Sequence, residues 1–280
     1  MKRSNKRIIP GFGLSMGVTV TLLSVIVLIP LASLVIFTAQ LSFSDIIAVI
    51  TRDRVLASFK VSFLTAFVAS LINAVMGVIL AWVLVRYDFP FKRILDGMIE
   101  LPFALPTAVA GIALTSLTAD KGIIGSFFAK FGIKIAYTRV GITVALVFIG
   151  IPFVVRAVQP VLEKLDGSLE EAASTLGASR SRTFRQVIFP EIMPAVFTGF
   201  GLAFGRCLGE YGSVVFIAGN QPFETEITPL IIMSELQEYD YASATAIALV
   251  MLAASFLILF LVNLIQVRNS KILRGGGKSA

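Results

Sequence analysis

Long windows without a charged side chain fix the solvent in which this chain folds. Ile8–Ser44, Val61–Val85, Leu101–Ala119 and Tyr241–Val267 contain no Asp, Glu, Lys or Arg. A helix needs about 20 mostly apolar residues to cross the hydrocarbon of a bilayer, and each window reaches roughly that length. Val140–Val155 is shorter, but Arg156 can snorkel and extend it towards Pro160. A further stretch, Ile192–Ala218, is apolar apart from Arg206 and Glu210. The expectation is an all-α integral membrane protein with six transmembrane helices, built as a single domain over residues 1–280 without a soluble module.

Composition agrees. Of 280 residues, 56% are hydrophobic and 15% charged, against about 25% charged in soluble domains. The absence of histidine and the single cysteine, Cys207, leave no internal disulfide and no imidazole or thiolate cluster for a metal. No cofactor is expected. The net charge of +7 follows topology rather than nucleic acid. With the N-terminus inside, the inner segments hold Lys2, Arg3, Lys6, Arg7, then Arg86, Lys92, Arg93, then Arg156, Lys164, Arg180, Arg182, Arg185, then Arg268, Lys271, Arg274 and Lys278. The outer loops hold only Arg52, Arg54, Lys60, Lys121, Lys130, Lys134 and Arg139. Basic residues favour short cytoplasmic loops, so both termini are expected inside and Met1–Arg7 is read as retained sequence. The Gly275-Gly276-Gly277-Lys278-Ser279 stretch lacks the first glycine of a phosphate-binding loop, since Ile272 stands there, and ATP binding by this chain is not expected.

The longest inner connection, about 161–190, has a pattern that residence in lipid does not require. Ser168-Leu169-Glu170-Glu171 reads as a capping box, Ala172 and Ala173 are small helix formers, and Gly177 suits a left-handed helix end. A two-turn helix over Leu169–Leu176 is expected. Ser179 is positioned to cap a second helix, and Pro190 to start the next span.

Glu171-Ala172-Ala173, Gly177 after three residues, and Val187-x-Phe189-Pro190 resemble the cytoplasmic loop of ABC-importer permeases. Leu101-Pro102-Phe103-Ala104-Leu105-Pro106 and Gly209-Glu210-Tyr211-Gly212-Ser213 are similar to the third- and fifth-helix segments of sulfate permeases. The related molybdate element is Gly-Glu-Phe-Gly, where this chain has Tyr211. The resemblance is to the sulfate/thiosulfate family, T (U) subunit type. It implies type I ABC-importer architecture in a bacterial inner membrane. The loop would carry a coupling helix that docks on ABC ATPase subunits through Glu171, Ala172, Ala173, Gly177 and Pro190. The other implied partners are a second homologous permease of W type and an extracytoplasmic sulfate-binding protein.

Inside the spans, Arg206 and Glu210 are the only charges well away from the ends. A mid-helix charge costs about 2.5–3.5 kcal/mol on insertion scales, so lipid exposure is excluded. At i, i+4 spacing they share a helical face, either as a structural pair or, with Tyr211, as a pathway element. Pro102 and Pro106 bend or open the third helix, to line a path or to fit a curved bundle. Gly201, Gly205, Gly209 and Gly212 offer a small packing face. Glu224, Glu226, Glu235, Glu238 and Asp240 make the last outer loop acidic, as a docking surface for a binding protein or as a solvated loop. Two other classes fit less well. A secondary anion transporter would need carboxylate relays or inverted repeats, and a membrane enzyme a nucleophile–base or metal constellation.

Overall fold

A computed structural model describes residues 11–275, with side chains through Leu264. Lys2, Arg3, Lys6, Arg7 and the Gly276–Lys278 tail lie outside the described residues, as do the side chains of Arg268, Lys271 and Arg274. The described chain is helical throughout: α1 (Phe12–Thr38), α2 (Phe43–Ile50), α3 (Asp53–Arg86), α4 (Lys92–Ile99), α5 (Leu101–Ala104), α6 (Thr107–Thr118), α7 (Ile123–Ala129), α8 (Arg139–Lys164), α9 (Ser168–Thr175), α10 (Arg180–Thr183), α11 (Phe189–Leu208), α12 (Val214–Ile217), α13 (Thr228–Gln237) and α14 (Tyr241–Gly275). Five stretches are long and apolar enough to span a membrane: α1, α3, α8, Arg180–Leu208 and α14 through Leu264. A sixth arises if α6 and α7, bent by 42°, count as one.

The centre is the packing of α3, α8 and α11 on one another. Small and hydroxylated residues make it possible. Along α3, Ser58, Ser62, Ala66, Ala69, Asn73, Gly77 and Ala81 form a buried stripe at helical spacing. The hydroxyls of Thr65 and Ser70 stay bonded within the helix, to the carbonyls of Val61 and Ala66. Val154 of α8 is wedged between two glycines: a Cβ on Gly77 would lie 2.6 Å from its Cγ1, and one on Gly199 of α11 2.7 Å from its Cα. Helix α1, by contrast, packs on α14 and leaves almost all of its apolar surface bare. That is the pattern for a helix whose other neighbours are lipid or protein.

One sequence expectation holds and one is corrected. The third span opens at its two prolines and is not one helix over Leu101–Ala119. Pro102 starts the single turn of α5, and Pro106, without an N–H, stands as N-cap of α6. The resulting α6 has 12 residues, about 18 Å at 1.5 Å per residue, too short to cross. Among the described residues no turn or side-chain donor reaches the carbonyl of Leu105, the residue between α5 and Pro106, and residues 103–106 are exposed. The fifth span ends at Leu208 rather than Ala218. Gly209–Ser213 leave the helix, and α12 resumes the turn.

The small face of α11 also differs. Gly201 and Gly205 meet only Leu259 and Val262 side chains at ordinary van der Waals range, and Gly209 meets nothing. Close approach falls instead on Gly199, on Gly212 against Thr107, and on Gly111 of α6, where a Cβ would lie 2.5 Å from the Ser213 carbonyl oxygen. The breaks in α5/α6 and α11/α12 therefore pack against each other.

Candidate functional site

The loop between α8 and α10 folds locally for reasons visible in its hydrogen bonds. Its helix runs Ser168–Thr175, but not from the expected capping box. Ser168 sits inside the first turn, Glu171 donates its N–H to the Gly167 carbonyl, and no side chain caps from Gly167. Asp166 does the work, its Oδ1 accepting from the Ser168 N–H at 3.0 Å. That bond holds the Asp166 carboxyl below its ordinary value. At the other end the Ala178 N–H reaches the Ala173 carbonyl at 3.0 Å, and the Gly177 N–H reaches Ser174 at 2.9 Å. These paired bonds form a Schellman motif and need Gly177 at φ +79°. A Cβ there would touch nothing within 4 Å, so the demand for glycine is conformational.

Glu171, Ala172 and Gly177 are exposed and Ala173 half-buried. Leu176, 88% exposed, and Leu169, 45%, place bare apolar surface beside them. Ser179 caps α10, accepting from Arg182 N–H at 3.4 Å. A π-helical turn over Phe184–Ile188 then leads into α11, with Pro190 in its first turn. A wider turn relieves the clash between a proline ring and the carbonyl four residues earlier.

Arg206 and Glu210 do pair, but not on one helical face. Arg206 lies in the last turn of α11, Glu210 in the turn beyond it, and they bond at 2.6 Å. The other oxygen, Oε1, accepts from the Ser213 N–H at 2.8 Å and its hydroxyl at 3.0 Å. Glu210 is thus buried with both oxygens engaged, closing the turn that α11 leaves open. Arg206, 35% exposed, borders a groove of about 650 Å³ between α11 and α14 with Thr198, Gly201, Leu259 and Asn263. Tyr211 is exposed on the same turn.

The acidic loop divides. Glu226 is buried against Arg54, and Glu235 pairs with Arg52 at 3.3 Å. Asp240 caps α14, its Oδ1 accepting from the Ser243 N–H at 3.0 Å. Burial raises the Glu235 carboxyl, whereas the Ser243 bonds lower that of Asp240. Glu224 and Glu238 remain exposed. α8 runs past Pro160, as expected, and Arg156 binds Asp96 at 2.8 Å and Glu100 at 2.7 Å, tying α4 and the start of α5 to α8. The sequence signal was present, two carboxylates four residues apart opposite a lone arginine, but pairing across 60 residues has no local trace.

A family model described as binding-protein-dependent transport system inner membrane component matches residues 73–273. The sulfate transport system permease protein CysT of Salmonella typhimurium is 51% identical over 265 residues, covering 95% of this chain and 96% of that protein. Its counterpart in Escherichia coli is 52% identical over the same shares, and that of a Synechocystis strain 47% identical over 89% and 87%. Among solved structures, a bacterial ABC transporter involved in alginate import superposes with a TM-score of 0.76 at 15% identity, covering 92% of this chain and 96% of that one. The alginate transporter in complex with its pentasaccharide-bound periplasmic protein gives 0.76 at 17%, covering 92% and 94%. These structural likenesses concern the fold alone.

Proposed function

Because this chain belongs to the family of inner membrane components of binding-protein-dependent transport systems, we propose that it is the membrane-spanning permease of an ATP-driven sulfate/thiosulfate importer. It forms one multi-pass domain in a bacterial inner membrane, with both termini cytoplasmic, and supplies half of the translocation path. It hydrolyses no ATP itself. That work falls to ABC ATPase subunits on the cytoplasmic side. A second, homologous permease of W type completes the membrane part, and an extracytoplasmic sulfate-binding protein delivers the anion.

The observation that supports the anion is the roughly half-identity to sulfate permeases along nearly the whole chain. The observation that supports the division of labour is α9, a short helix held rigid at both ends between two spans while Leu169 and Leu176 stay bare. Exposed leucines on a soluble loop favour a protein partner. In this reading Glu171, Ala172, Ala173 and Gly177 present the coupling helix, and Pro190 joins it to α11. Arg206 and Glu210, with Tyr211, act chiefly in structure. A carboxylate with both oxygens engaged is a poor carrier of protons, which counts against a secondary transporter.

Purification of the tagged chain from native membranes tests the proposal. ATPase subunits and a homologous permease are expected to co-purify, and the reconstituted complex to take up sulfate and not molybdate when ATP and binding protein are present. Nucleotide hydrolysis by the isolated chain, or uptake driven by an ion gradient without ATP, would overturn it.

A further inference from the structure

The coupling-helix reading leaves open how a displacement of α9 reaches the helices that span the membrane, since α9 itself buries no residue. One cluster joins them. Glu170, in the first turn of α9, is hydrogen-bonded and ion-paired to Arg86 in the last turn of α3. The Arg86 guanidinium lies 5.3 Å from the ring centre of Trp82, one turn back on α3. Trp82 also meets Phe184, the first residue of the π turn, in a T-shaped contact at 5.3 Å. Phe184 continues to Phe189 at 5.9 Å, on the first residue of α11. Trp82 is the only tryptophan in the chain.

These contacts differ from simple loop packing in where they lead. Trp82 and Phe184 pack on the buried cluster of Ala81, Val154, Val155, Val158, Ile188 and Ile192. Gly77, five residues from Trp82 and so about 7.5 Å along α3, is the one that closes on Val154 without clearance. Gly199 of α11 closes on the same Val154. A push on Glu170 or Phe184 therefore cannot be absorbed by side chains sliding over α3. Close-packed interiors pass displacement on instead of yielding to it.

We propose that Arg86, Glu170, Trp82 and Phe184 form a transmission clamp, positioning residues that fasten the coupling helix to the end of α3. Through this clamp a movement imposed on α9 by an ATPase is delivered to the α3–α8–α11 core. The proposal rests on the reading of α9 as the docking helix. The ion pair supplies a directional link, because Glu170 also complements the positive end of α9 and Arg86 the negative end of α3. The aromatic pair supplies stiffness between the end of α3 and the turn that leads into α11.

The test uses the complete importer reconstituted with ATPase, second permease and binding protein. Arg86→Gln and Glu170→Gln should each leave complex yield unchanged but lower sulfate taken up per ATP hydrolysed about tenfold. The exchange R86E with E170R should recover a large part of that ratio, and Phe184→Leu should lower it independently of charge. Docking is read separately, by cross-linking Leu176→Cys to the ATPase with a bifunctional thiol reagent. A preserved cross-link with an unchanged uptake-to-ATP ratio in all three single variants overturns the clamp alone. Yield falling in step with uptake, unrepaired by the exchange, overturns it in favour of a mere brace. Failure of Leu176→Cys to cross-link in the otherwise wild-type importer overturns the docking reading and the clamp with it.

Discussion

Arg54 and Glu226 meet across 172 residues of sequence in a two-pronged ion pair, Nε to Oε2 at 2.8 Å and the second nitrogen to Oε1 at 2.6 Å. The two partners are unequally buried: the arginine side chain is 44% exposed and the glutamate 1%. The asymmetry predicts unequal costs. Arg54→Met strands a buried carboxylate and should cost about 2–3 kcal/mol. Glu226→Gln frees an arginine that water can still reach, and should cost about 1 kcal/mol. Thermal melts of the detergent-solubilised importer should rank them in that order.

Gly177→Val forces a β-branched residue into φ +79°, where a Cβ is penalised by about 1–2 kcal/mol. Since nothing crowds the site, Gly177→Asn should be much milder. Uptake and ATPase co-purification should fall for valine, with membrane insertion intact. Full transport by the valine variant would remove the support for a docked α9.

Removing Arg206 alone leaves Glu210 buried with one unpaired oxygen. Arg206→Met should therefore reduce complex yield, whereas Arg206→Met with Glu210→Gln should restore it, because an amide oxygen still accepts from Ser213. Uptake at the wild-type level in the double variant is expected for a structural pair. Recovered yield with poor sulfate uptake would show that the arginine serves the anion's path.

Alanine substitutions should separate glycines that close a gap from glycines that merely lie on a helix. Gly111→Ala and Gly199→Ala drive a methyl into backbone atoms and should cost about 1–3 kcal/mol. Gly201→Ala, with 3.7 Å to its nearest neighbour, should be nearly neutral. Yield of folded complex on size exclusion gives the comparison.

Asp240 has its carboxyl lowered by the Ser243 hydroxyl and N–H. A lowered carboxylate contributes stability above the unfolded-state value near 4, and that contribution disappears as pH falls through the folded-state value. Melting temperatures taken from pH 5 down to pH 3 should drop less steeply in Asp240→Asn than in the parent. An equal slope would place the acid sensitivity elsewhere.

Period and length made most of the fold legible. The spans formed by α1, α3, α8 and α14 appear where charge-free windows stand, because absence of charge over 20 residues is a local property. Gly177 and the Ser179 cap were readable for the same reason, each being decided within about four residues. What failed was decided elsewhere. Asp166 displaced Ser168 as the cap because both can do it, and only the direction in which α8 ends selects one. The third span breaks at Pro102 and Pro106, as its prolines suggested, but the seating of Gly111 of α6 against Ser213, at the start of α12, has no local trace. Arg156 and Glu226 found partners far away in sequence, Asp96 and Glu100 for the one and Arg54 for the other, pairings with no local trace. Trp82 gave no signal, since a single aromatic near a span end has many ordinary uses.

The opening between α5 and α6 has a consequence for where that turn can sit. Pro106 has no N–H to give, and the Leu105 carbonyl is left outside both helices on an exposed turn. Hydrocarbon offers such a group no donor, and leaving it unmatched there costs several kcal/mol. Wherever this turn lies at membrane depth, water, a headgroup or a neighbouring protein must cover it.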